Sequence, residues 1–66
     1  MNSKSKLILD DLETVTKQDK DRGVGMWQFR MRHSKIRQRE WHQIIKDLVN
    51  SHKVEIFGED QRIRVI

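Results

Sequence analysis

The chain has 66 residues, a formal net charge of +4 and no cysteine. At that length only about 60% of the unfolded chain's surface is buried on folding, which leaves room for one small domain over 1–66, not for a large catalytic pocket. Disulfides and thiolate metal sites are excluded, and with 35% hydrophobic residues and no apolar run longer than Leu7-Ile8-Leu9 so are a membrane span and a signal peptide.

Residues 1–5 read as a short, flexible polar arm. Ser3 or Ser5 is placed to cap a first helix over Lys6–Val15, in which Ile8, Leu12 and Val15, widened by Leu9, form one apolar stripe while Asp10, Asp11 and Glu13 point away. Thr16 to Gly25 is polar, ends in Gly-Val-Gly and reads as a loop. Residues 26–33 carry two periods at once. Trp27, Phe29 and Met31 alternate like a strand, whereas Val24, Trp27 and Met31 fit helical spacing; a short helix that helps close the core is the preferred reading, with all three side chains as core filler in preference to a ligand-stacking surface.

From Lys35, capped by Ser34, a long helix is expected to reach Ser51. Trp41, Ile44, Ile45, Leu48 and Val49 recur at i, i+3, i+4, i+7 and i+8, a complete buried stripe, with Arg39, Gln43, Lys46 and Asn50 on the opposite side. The end reads as a hairpin across Gly58-Glu59-Asp60-Gln61. Pairing Phe57 with Arg62 sets Ile56 opposite Ile63, Glu55 opposite Arg64 and Val54 opposite Val65, so one register satisfies both faces.

Charge is unevenly placed. Residues 1–25 and 53–66 are each balanced, so the whole excess lies in 26–52, and Arg30, Arg32, Lys35, Arg37 and Arg39 fall within ten residues that contain no Asp or Glu. Such a block attracts polyanions; the plainer alternative is a solvated face that keeps a small protein in solution. His33, His42 and His52 lack metal-ligand spacing, none has an orienting carboxylate at a convincing spacing, and Gly23-Val24-Gly25 is too short for a nucleotide loop. The chain is therefore expected to be no enzyme and to need neither metal nor small-molecule cofactor.

An α+β chain of helix, loop, short element, long basic helix and hairpin resembles a winged helix-turn-helix domain, with two to three helices followed by a C-terminal β-hairpin wing. The resemblance is carried by Ile44–Ile56, by Gly58 and by Arg62–Val65, which are similar to a recognition helix turning into its wing. Two features depart from that pattern. His52-Lys53 stands where a glycine and an apolar residue are common, and the tract before the long helix holds Trp27 and Phe29 instead of small residues.

The resemblance implies double-stranded DNA as partner, with the long helix in the major groove and the wing along the backbone. Arg39 and Gln43, four residues apart on the outward face, are candidate base readers, since Arg suits guanine and Gln suits adenine. Lys35 and Arg37 would stand at the start of the helix, with Arg37 turned partly toward the core, and Lys46 would meet a phosphate. Arg30 and Arg32, with His33, would contact phosphates from the preceding element. On the wing Arg62 and Arg64 are candidates, Arg64 in competition with Glu55, and the acidic tip disfavours insertion. A transcriptional regulator or an accessory factor of replication or recombination, cytoplasmic and of phage, plasmid or archaeal type, binding as a homodimer, fits this reading. The alternative is an interaction adaptor for an acidic surface of a polymerase or helicase, marked by exposure of Trp27, Phe29 and Met31. RNA binding is disfavoured by the lack of paired aromatic strand motifs and of tyrosine.

Overall fold

The first turn of helix is set earlier than the capping serines suggest. In a computed structural model that describes residues 3–66, α1 runs Ser3–Val15, so Ser3 to Ser5 are helical and not arm, and both serines lie inside the helix; the first two residues of the expected arm fall outside the described residues. Burial follows the stripe: Ile8 and Leu12 are fully enclosed, with Leu9 and Val15 packed at the margin.

After the polar turn, Val24–Gly25 forms a two-residue strand, β1, where a loop was expected. It pairs antiparallel with the end of the chain, Val24 opposite Ile63 and Gly25 opposite Arg62. Two residues carry no period, which is why this strand has no local signal. Gly23 permits the approach: its φ is +67°, and a Cβ there would stand 2.3 Å from the Ile63 carbonyl oxygen.

The ambiguous tract is helix, α2, Met26–Arg32. Its first amide is held by the hairpin turn, Met26 N donating to Gln61 O at 2.8 Å. Phe29 is its one fully buried residue, with Met26 packed at the margin of the core. Trp27 and Met31, expected there as filler, are 74% and 53% exposed, because a single face of a two-turn helix has room for one large residue between α1 and α3.

The long helix, α3, runs Gln38–Asn50, not from Lys35 to Ser51, and its N-cap is Arg37 in extended conformation. Ile36 explains the late start. At roughly 100° per residue a helix continued back from Gln38 would stand Ile36 near Gln43, on the solvent side. Interrupting the helix lets Ile36 pack against the core instead. Trp41, Ile44, Ile45 and Leu48 are buried as the stripe requires. The helix ends in a paired cap, His52 N to Val49 O at 3.0 Å and Lys53 N to Leu48 O at 3.0 Å, the Schellman geometry, with His52 at the left-handed position (φ 57°) that glycine ordinarily fills.

The hairpin forms in the expected register. β2 (Val54–Phe57) and β3 (Arg62–Val65) pair Val54–Val65, Glu55–Arg64, Ile56–Ile63 and Phe57–Arg62. Val54 and Ile63 are buried against the helices, which supplies the support that an isolated hairpin lacks. The result is three helices and a three-stranded antiparallel sheet of order β1-β3-β2, an α+β arrangement compatible with a winged helix. No helix among the described residues is long and apolar enough to cross a membrane.

Candidate nucleic-acid interface

Burying Trp41, Ile44, Ile45 and Leu48 fixes the rotation of α3 and so decides what the helix shows to solvent. Arg39, Gln43, Lys46 and Asn50 are all exposed on the far side, in a row that contains no carboxylate. The two acids of the helix, Glu40 and Asp47, stand half-buried on its flank, and Glu40 is bound by Lys4 of α1. Lys35 and Arg37 are exposed in the connection just ahead of α3. They occupy the α2–α3 turn and the N-cap rather than a first helical turn, and Arg37 lies out in solvent instead of leaning on the core. Lys35, Arg37, Arg39, Gln43 and Lys46 make no side-chain hydrogen bond or ion pair among the described residues.

The other four candidates hold the fold together. Arg30 donates from Nη1 to His33 O and from Nη2 to Ile36 O, both at 2.7 Å, and its guanidinium carbon lies 5.3 Å from the centre of the Trp41 ring. Arg32 makes a two-pronged pair with Asp11, Nε at 3.0 Å and Nη2 at 2.9 Å. His33 Nε2 lies 2.7 Å from the same carboxylate, and its ring stacks on Trp41 at 5.7 Å and meets the Phe29 ring edge-on at 5.3 Å. The Arg32 hydrogen bonds hold the Asp11 carboxyl below its ordinary value against the opposing effect of burial, with His33 assisting. The pairing in turn raises the Arg32 guanidinium.

On the hairpin, Arg62 donates to Arg22 O at 2.9 Å and Gly23 O at 3.2 Å. Arg64 binds Glu55 as expected, and also reaches Asp21 O at 2.7 Å and covers the Phe57 ring at 4.2 Å. The sequence offered no sign that both wing arginines fasten the 19–23 turn to the sheet, since the acceptors are backbone carbonyls some forty residues away. The tip, Glu59 and Asp60, is exposed and held at positive φ.

Two residues beside α3 stand outside the expected contact set. Asn50 shares the outward row, as its helical angle indicates. Trp27 is the second: it lines a concavity of about 520 Å3 with Gln38 and His42 of α3 and another of about 540 Å3 that reaches the hairpin turn. Met26 lines both and a third groove of about 340 Å3 along His42, Lys46 and Asn50, so α2, α3 and the hairpin share one continuous surface. Among the described residues no three His, Cys, Asp or Glu side chains converge as for a metal ion. The sequence matches no protein-family model, and neither curated proteins nor solved structures include a significant match to it.

Proposed function

We propose that this chain is a DNA-binding protein of winged-helix type, acting by occupancy as a transcriptional regulator or a replication or recombination accessory factor. The observation that carries the reading is the exposed, carboxylate-free row Arg39–Gln43–Lys46–Asn50 on α3, continued by Lys35 and Arg37. A helix of this width fits the major groove, where Arg and Gln or Asn present the donors and bidentate amides that base edges select. Lys35, Arg37 and Lys46 are placed for phosphates, which set register without reading sequence. Arg30, Arg32, Arg62 and Arg64 keep their charge and so add to the attractive field, but their donors are engaged within the protein, and their first role in this reading is to shape the surface.

The exposed pair Trp27 and Met31, one turn apart on α2, favours a second reading, an adaptor that binds an acidic protein surface. Phe29, the third residue of that expected patch, is buried. Fluorescence anisotropy of labelled random-sequence duplex at several salt concentrations separates the two. Binding that weakens steeply with salt is expected for DNA; absence of binding even at low salt contradicts it and leaves the adaptor.

A further inference from the structure

Trp27 is the largest side chain left in solvent. It is 74% exposed on a helix that packs its neighbour Phe29 completely. It stands as a ridge between two concavities, one floored by Trp41 and walled by Gln38 and His42, the other running to Gln61 and Arg62 at the hairpin. The polar groups around it are the Gln28, Gln38 and Gln61 amides, the His42 imidazole and the Arg30 and Arg62 guanidinium groups, with one carboxylate, Asp60, at the far end beside the hairpin. A protein partner of ordinary stability needs about 800 Å2 on each side, and the large apolar side chains exposed at this place are Trp27 and Met31, with Met26 half-buried beside them. A π-face framed by hydrogen-bonding and cationic groups instead suits a nucleobase on its backbone.

A continuous B-form duplex cannot use that face, because each base is covered above and below by its neighbours. A base is available to an indole only where stacking is interrupted, at a gap, a bulge, a strand end or a flipped nucleotide. Resting on the DNA-binding reading above, we propose that Trp27 is a stacking platform for an unstacked base, and that the DNA this protein selects joins a duplex, held by α3, to an interrupted or single-stranded position beside α2. Gln38 and His42, on the wall between the indole and the α3 row, are the groups placed to hydrogen-bond the displaced nucleotide.

The test compares a labelled duplex containing a short central thymine gap with the same sequence uninterrupted, using the full chain, Trp27→Ala and Trp27→Phe. The wild type is expected to prefer the gapped probe by about tenfold. Trp27→Ala should lose that preference while keeping its affinity for continuous duplex, and Trp27→Phe should keep part of it. Indole emission gives an independent signal: Trp27 is quenched by the gapped probe, whereas Trp41, 3% exposed, is not. Since Trp27 leaves no cavity when truncated, Trp27→Ala should melt as the wild type does. Equal affinity of the wild type for both probes, or a preference that survives in Trp27→Ala, overturns the inference and returns Trp27 to a protein partner. Failure of the wild type to bind either probe at low salt overturns the DNA reading as well.

Discussion

Arg30 Nη2 donates to the Ile36 carbonyl at 2.7 Å across the turn that joins α2 to α3, while Nη1 holds the His33 carbonyl at the same distance. One planar fork thus pins the connection that lets Ile36 fold inward and α3 begin at Gln38. The basic block of residues 30–39 is therefore two sets: Arg30, which builds the turn, with Arg32, which ties α2 to Asp11 of α1, and Lys35, Arg37 and Arg39, which stand free.

Arg30→Ala should consequently act on stability. Two carbonyls lose a charged donor and Trp41 loses its cation, a cost of about 1–3 kcal/mol. Arg30→Lys should recover little, because an ammonium cannot bridge two acceptors with a rigid fork. Urea denaturation of the three proteins checks this; an Arg30→Lys variant as stable as wild type would show that charge alone suffices.

Asp11 gives the fold a defined acid sensitivity. Its folded-state value is lowered below 3.8, chiefly by the Arg32 hydrogen bonds, so the stabilisation is complete above that pH and is lost as pH falls through the lower folded value. Asp11→Asn should reduce stability at neutral pH by on the order of 1 kcal/mol once solvent screening is allowed for, and should flatten the acid limb of the curve. Urea midpoints measured from neutrality down to below pH 3.8 test it; parallel curves for the two proteins would contradict the linkage.

His52 closes α3 in the left-handed region at φ 57°, where a β-carbon is strained by about 1 kcal/mol. His52→Gly should raise stability by up to about 1 kcal/mol, less the extra freedom glycine gives the unfolded chain. A lower melting temperature for His52→Gly would mean that the imidazole contributes a contact worth more than the strain.

Gly23→Ala should be severe. Its φ of +67° and the 2.3 Å approach of its missing Cβ to the Ile63 oxygen leave no relief short of parting β1 from β3, whereas Gly25→Ala meets only the movable Gln28 side chain at 3.3 Å. Thermal melts should place Gly23→Ala well below Gly25→Ala; equal melting would deny that β1 pairing matters to stability.

What was legible in the sequence was whatever repeats. The α1 and α3 stripes and the hairpin register, with its Glu55–Arg64 pair, each use a period long enough to read, and the rotation of α3 exposed Arg39, Gln43 and Lys46 as expected. The start of α3 was misplaced because Ser34 and Lys35 look like a helix entry, while the residue that breaks the helix, Ile36, does so through tertiary burial. Strand β1 was missed because two residues have no pattern. Arg30, Arg62 and Arg64 look like phosphate ligands in sequence, since a charge count sees neither the α2–α3 turn whose carbonyls take Arg30 nor the carbonyls some forty residues away that take Arg62 and Arg64. Trp27 was assigned to the core by its type, and only the packing of Phe29 decides which of the two aromatics faces out.

The most direct test of the central claim is the salt dependence of duplex binding for Arg39→Ala/Lys46→Ala set beside Arg32→Ala. Each phosphate contact removed should lower the slope of log affinity against log salt by about 0.9. The account predicts a reduced slope and weaker binding for the α3 double variant, and a slope close to wild type for Arg32→Ala, whose guanidinium is held by Asp11. An unchanged slope in the double variant, with the loss appearing in Arg32→Ala instead, would contradict it and place the DNA on another face.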